Sequence, residues 1–470
     1  MSRRKYILLG MAIIYSAVLF GQDMDIDVCY WVSFSDKAQS EYQVEAPNEF
    51  LSERALSRRA RFGIPLTETD LPVNAAYLDS LKTAGTRIQY TSRWLNGAAM
   101  VATPAQAKAL ESLSFVDSIR YIGPYFGATS ARNYKYVMDS TGMKMESNKY
   151  GRSGRNIQML NGDSLHQMGF QGEGMYIAVL DGGFTNVDKI PFFDTLRHYQ
   201  SLDHFYDFTN ADRDVFESST HGTSVLSAMA AYSPGVLVGT APRARYVCLK
   251  TEEVRGEHRM EEYNWVAALE YADSLGVDVV NSSLGYYAFS DHNMDYHPRQ
   301  LDGKTSPASR AAEMAFDRGM IIVVSAGNEG DSRWKYIDIP ADSPKALAIA
   351  AVMNDGQKAG FSSYGYDSLE VIKPDLAAPG VNVPVPNAYR SRLSAASGTS
   401  LAAPIMTGLV TCLWQAFPEL ANSEIVAALK ASGHQAEQPD LALGYGIPDF
   451  MKAYRILQAR KTEMESKQSE

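Results

Sequence analysis

A chain of 470 residues is long enough for two domains, one of them with an extensive core. Hydrophobic residues at 45%, charged residues at 21% and ordinary Gly and Pro content exclude collagenous, disordered and coiled-coil classes. The formal net charge of -10 speaks against a polyanionic partner, since phosphate backbones are gripped by clustered Lys and Arg, and no nucleic-acid ligand is expected.

Arg3, Arg4 and Lys5 precede an apolar run from Tyr6 to Phe20, which ends at Gly21 and Gln22. A basic start, a short apolar core and a small residue before a polar one predict a secretory signal peptide over residues 1–21. The run is shorter than the roughly 20 residues a membrane helix needs, so an uncleaved anchor is the lesser alternative. No later segment is apolar for long enough to span a bilayer. The expectation is export to a periplasmic or extracellular location, with no membrane attachment once the signal is removed. Only Cys29, Cys248 and Cys412 occur, an odd number scattered along the chain, so no disulfide framework is expected. Cys248 and Cys412 sit in apolar runs and read as buried thiols.

Residues 22–124 predict a small domain. Alternation over Asp27 to Ser35 marks a strand, and a helix-like stretch follows around Ser52 and Glu53. Asn74 to Ala84 has helical spacing, Thr86 to Trp94 and Ala98 to Thr103 are strands around Asn96-Gly97, Pro104 opens a helix, and Val116 to Ile122 closes the unit. That order is β-α-β-β-α-β, a split βαβ unit. The basic patch Arg58-Arg59-Ala60-Arg61 suggests either a processing site or, more simply, a solvated helix face. The polar, Gly- and Ser-containing stretch 125–155 predicts a linker that holds a processing site. A large domain over 156–458 and a polar tail over 459–470 complete the chain.

In the large domain, short apolar runs such as YIAVLD, VDVVNSSLG, MIIVVSAGN and LAIAAV alternate with helical stretches. Continuous apolar strands separated by helices imply a parallel sheet buried on both faces, an α/β doubly wound architecture. Ligands of such sheets bind outside the carboxyl ends of the strands. Asp181 and Asn328 end two of the runs, His221 opens a helix rich in small residues, and Ser400 precedes the buried-helix pattern LAAPIMTGLVTCLWQAF. Each alone has a bland explanation as a turn, cap or structural residue. Together they supply a nucleophile, a base to take its proton, an acid to fix the base and a donor for an oxyanion.

These residues lie in VLDGGF, HGTSV, SAGNEG and SGTSLAAP, in the order Asp, His, Ser, and here the chain resembles the subtilisin-like serine proteases. NSSLG at 281, IPADSPKALAIAAV at 339, KPDLAAPG at 373 and LGYGIPD at 443 extend the resemblance over about residues 156–458. It implies a subtilisin-like fold, a propeptide over 22–124 that inhibits the cleft in the same chain, and peptide or protein substrates. It further implies catalysis by Asp181, His221 and Ser400, and an oxyanion hole formed by the Asn328 side chain and the Ser400 backbone N–H. Ser283, Leu284, Gly285, Ser325, Ala326 and Gly327 would line the substrate cleft. Two positions depart from the family pattern. Gly182 stands where Ser or Thr is common, removing one side-chain hydrogen bond from the acid, and Leu401 stands where Met is common, which conserves volume. The chemistry calls for no cofactor. Structural calcium is left open with no ligand assigned, Asp212 and Asp214 forming only a weak cluster. No single charge in the matched strands dictates a substrate residue. The alternatives are an inactive subtilase fold used for binding, or a protease kept inhibited by its propeptide.

Overall fold

The computed structural model of the chain describes residues 26–127, 135–138 and 145–469. The expected signal peptide and part of the expected linker lie outside the described residues. Two compact units emerge, and they do not divide the chain at one point. The smaller contains the described residues up to Val44 and those from Glu68 to 127. The larger takes Glu45–Thr67 together with the described residues from 135 onward.

In the smaller unit the strands are β1 (Val28–Phe34), β2 (Arg87–Ser92), β3 (Gly97–Ala102) and β4 (Val116–Pro124), in the antiparallel order β2-β3-β1-β4. Alternation turns Val32, Phe34, Ala98, Met100 and Ala102 to one face. Leu81 of the helix Ala75–Thr83 and Leu110 of the helix Pro104–Leu110 pack on that face. Both helices start where local chemistry dictates. Asn74 accepts from the N–H of Ala76, and Thr103 and Gln106 form a capping box ahead of Pro104. The β-α-β-β-α-β order read from the sequence is the observed one.

The larger unit is built on β5 (Tyr176–Asp181), β6 (Leu202–Asp207), β9 (Arg245–Lys250), β10 (Val279–Ser282), β11 (Ile321–Ser325), β12 (Leu347–Val352) and β13 (Leu376–Pro379). The short hairpin β7 (Tyr232–Ser233) and β8 (Leu237–Val238) falls between β6 and β9 in the chain. The seven long strands form one parallel sheet in the order β13-β12-β11-β10-β5-β9-β6. Ile177, Val179, Val279, Ile321 and Val323 share a core cluster with the helices His221–Ala230 and Thr399–Ala416. The helices Met260–Leu275 and Pro307–Asp317 pack on one another as a second pair. This is the doubly wound α/β sheet the apolar runs predicted.

Several readings need correction. The stretch 22–124 is not one structural unit, because the helix Glu53–Arg61 belongs to the larger one. Its Arg58 and Arg59 are 4% and 3% exposed rather than solvated. They meet Asp273 at 2.5 and 3.0 Å, a partner more than two hundred residues away that no local pattern announces. From residue 135 on, the described part of the expected linker is built into the larger unit: Gly151 bridges to Leu237, Arg152 donates to the carbonyl of Val236, and the helix Gly154–Gln158 follows. The expected polar tail continues the helix Phe450–Ser469. All three cysteines are buried and free.

Candidate active site

Asp181 is the last residue of β5, at the carboxyl edge of the sheet, and is 1% exposed. Its Oδ1 accepts the N–H of Gly182 at 2.8 Å, so a backbone donor serves the acid where the residue after it carries no side chain. His221 Nδ1 lies 3.0 and 2.8 Å from the two carboxylate oxygens. Nδ1–H is therefore the donor, and Nε2 of the neutral ring is left as an acceptor. His221 opens the helix His221–Ala230, and Gly222 lets that helix start so close to the strand: a Cβ there would stand 2.4 Å from the Gly183 carbonyl and 3.0 Å from Asp181 Cβ. The Asp181 charge raises the His221 pKa above the ordinary 6.5, outweighing the opposing effect of burial.

Ser400 is the second residue of the helix Thr399–Ala416 and is 7% exposed. An N–H in the first turn has no acceptor within its own helix, so that of Ser400 remains to be used. Pro404 cannot donate to the Ser400 carbonyl, and the Ser283 hydroxyl takes that place at 2.9 Å. Asn281 donates to Ser283 Oγ at 3.1 Å and accepts from Thr407 at 3.0 Å, which ties the helix to the end of β10. The hydrogen bonds of the described residues include none between His221 Nε2 and the Ser400 hydroxyl; those at His221 run to Asp181 and Ser219.

Asn328 follows β11 and is exposed. Its Oδ1 accepts both the N–H of Thr399 at 2.9 Å and the Thr399 hydroxyl at 3.1 Å. A backbone N–H can only donate, so the oxygen must face Thr399 and the amide nitrogen must face away, toward open space. The Gly327 N–H donates to Thr399 Oγ1 at 3.2 Å and closes the motif. Thr399 is a site residue that sequence reasoning did not single out. Of the hydroxyls just before it, Ser394 lies in the strand Leu393–Ala396 and its Oγ accepts from Asn387 at 3.4 Å, while Ser397 Oγ accepts the N–H of Asn382 at 2.9 Å.

Of the residues assigned to the cleft, Ser283, Leu284, Gly285, Ser325 and Gly327 line one cavity of about 340 Å³, together with Asn328. Ala326 is not among them. Its N–H donates to Ile349 and its carbonyl accepts from Asp338, so its backbone is spent inside the protein. Glu252 stands behind the acid-base pair and was not singled out from sequence; Thr251 and Tyr286 donate to it, and burial pushes its pKa up to about 8. Its carboxylate and those of Glu257 and Glu261 come within 4.8 Å of one another, the one group among the described residues with metal-ligand proximity. Asp212 and Asp214 instead accept backbone N–H groups in their own loop.

An acid-base pair, a hydroxyl at a helix start and an outward amide at the carboxyl edge of a parallel sheet define a serine hydrolase of the subtilisin architecture. Comparison with known proteins agrees: the Subtilase family matches residues 172–446, and the Peptidase S8 propeptide domain of Bacteroidota matches residues 29–135. Subtilisin NAT of Bacillus subtilis subsp. natto and subtilisin E of Bacillus subtilis are each 25% identical, over 75% of this chain and 80% of theirs. A thermostable alkaline protease of Halalkalibacterium halodurans is 26% identical over 61% of this chain and 69% of its own. The crystal structure of MycP1 from Mycobacterium smegmatis shares the fold, with TM-score 0.50 and 20% identity over 66% of this chain and 89% of that one. The chain belongs to the subtilase family. It is a serine endopeptidase that carries a propeptide.

Proposed function

We propose that the chain is an exported protease made as a zymogen, with Ser400 as nucleophile, His221 as base and Asp181 as the acid that orients it. The observation that carries this reading is which polar atoms the protein leaves unused. The acceptors of Asp181, the Asn328 oxygen and the Ser400 carbonyl are all occupied within the chain. What remains is an imidazole Nε2, a hydroxyl and two N–H donors, which is what acyl transfer requires.

In this mechanism Ser400 Oγ attacks the scissile carbonyl carbon while Nε2 of His221 takes its proton. Asp181 stabilises the imidazolium. The oxyanion is received by the Asn328 amide and the Ser400 N–H, at a helix N-terminus that favours negative charge. His221 then protonates the leaving amine, and water repeats the sequence to release the acid. The chemistry draws on the chain's own groups and on water. The propeptide would block the cleft until the chain cuts itself within residues 122–156, after the signal peptide has directed export.

Two experiments test this. Wild type and Ser400→Ala, expressed side by side as full chains, are followed by mass spectrometry; wild type should shorten and the variant should not. A fluorophosphonate probe should label Ser400 in the mature protein. Identical shortening of both chains would falsify self-processing, and a mature protein that neither labels nor cleaves peptides removes the triad assignment.

A further inference from the structure

The cavity that Asn328 lines has an acidic interior. Glu257, Glu329 and Asp338 all contribute to its wall, and no lysine, arginine or histidine does. Asp338, directly before the IPADSPKALAIAAV motif, is 7% exposed, and its Oδ1 has no hydrogen-bond partner. A buried carboxylate oxygen without a donor or counter-charge is costly, and a cation brought in from outside the resting structure would offset that cost. Burial pushes its pKa well above the usual carboxylate range, and the Glu329 charge adds to the effect.

Two glycines show that the fold makes room for this carboxyl group. A Cβ on Gly327, whose φ is +105°, would lie 2.4 Å from Asp338 Oδ2. One on Gly285 would lie 2.6 Å from Asp338 Cβ and 2.9 Å from Oδ2. The Asp338 side chain therefore sits between the ends of the two segments that flank the cavity, where any larger residue at either glycine would displace it. Tyr287 donates to Glu329 at 3.0 Å and stacks on Trp334 with ring centroids 4.8 Å apart, which fixes the second carboxylate at the wall.

Asn328 would hold the oxygen of the scissile carbonyl. The side chain nearest that oxygen belongs to the residue that owns the carbonyl, one bond closer than that of the residue on the leaving side. We propose that this protease selects a lysine or arginine as the residue supplying the scissile carbonyl, whose cation Asp338 receives inside the cavity, with Glu329 and Glu257 adding attraction from the wall. The proposal rests on the active-site reading above. Binding gives Asp338 the counter-ion its surroundings withhold, whereas an apolar side chain would leave the carboxyl group buried and unpaired.

The test is a set of peptides that differ only in the residue before the cleaved bond. Mature wild type should cleave after Lys or Arg with kcat/KM on the order of a hundredfold above Leu or Phe, the range for a buried charge pair against an unpaired charge. Asp338→Asn should bring that ratio to within a few-fold of one, and Asp338→Glu should restore part of it. Benzamidine, an aromatic cation, should compete with substrate in wild type and lose its effect in Asp338→Asn. Equal or faster cleavage after Leu or Phe by wild type overturns the proposal, as does an unchanged ratio in Asp338→Asn. If that variant does not fold, the wild-type ratio and benzamidine competition decide alone. A protein that labels with fluorophosphonate yet shows no basic preference loses this inference and keeps the triad; one that does not label loses the reading beneath it.

Discussion

At the amino end of the parallel sheet Asp273 and Asp278 lie among three arginines, while at the carboxyl end Asp338 lies among none. Arg58 and Arg59 share Asp273, Arg54 pairs with Asp278, and the Asp278 oxygen that meets Arg54 also accepts the N–H of Tyr176 at the start of β5. Arg58 further donates to the carbonyls of Val277 and Arg318, near the C-termini of two helices, where a cation is favoured. At the other end, His221 is half-exposed, the Asn328 amide points outward and Asp338 Oδ1 has no partner. The same chemistry, buried charge in a low-dielectric surrounding, thus has two uses. Where it is saturated it holds elements together; where it is left short of partners it is, in the reading proposed above, kept for a substrate.

Mutations at the two ends should therefore separate activity from stability. The largest effect belongs to the carboxyl end: Ser400→Ala should lower kcat about a millionfold, the scale known from removing the nucleophile of subtilisin, with circular dichroism unchanged. Asn328→Ala should cost about a hundred- to a thousandfold in kcat with little change in KM, since its amide acts on charge that exists only in the transition state. The amino end should respond in the opposite sense. Asp273→Ala, made in the full-length Ser400→Ala chain so that no processing intervenes, leaves two buried guanidinium groups with no shared carboxylate. Urea unfolding should show a loss of about 3–5 kcal/mol, and a comparable loss of activity without loss of stability in the otherwise wild-type chain would erase the contrast.

Two smaller effects sharpen it. In the proposed mechanism neutral His221 is the base, and Asp181 raises its pKa. The proton is therefore held to higher pH, and activity should rise through a midpoint above the 6.5 of an ordinary histidine. In the residual activity of Asp181→Asn that midpoint should move down, as the pH profile of kcat/KM would reveal. Ser283→Ala removes the donor to the Ser400 carbonyl and should destabilise by about 1 kcal/mol in the same urea assay, because Pro404 allows no replacement from within the helix.

Asp181, His221, Asn328 and Ser400 could be singled out from the sequence because each is marked by a local pattern. A strand's apolar run ends, a polar residue follows, and in a parallel sheet every such end faces the same edge. The small domain was legible for a similar reason: its turns and helix starts at Asn74, Asn96-Gly97 and Thr103-Pro104 are set by neighbours within a few residues. Arg58 and Arg59 were misread because helical spacing shows which residues share a face but not what covers that face. Thr399 was overlooked because its role depends on Asn328, 71 residues earlier.

The sequence by itself determined the alternation of strands and helices, the family, and four candidate polar residues at the ends of its apolar runs and the starts of its helices, since strand period and local turn chemistry are carried by adjacent residues. Tertiary structure alone decided which charges are paired. Asp273 and Asp338 are the same residue type with indistinguishable local propensities. One is given two arginines by a helix from the propeptide region, the other two glycines and an open cavity. The energy of a buried carboxylate depends on what the whole fold brings within a few ångströms of it, and that is a property of distance in space rather than of order along the chain.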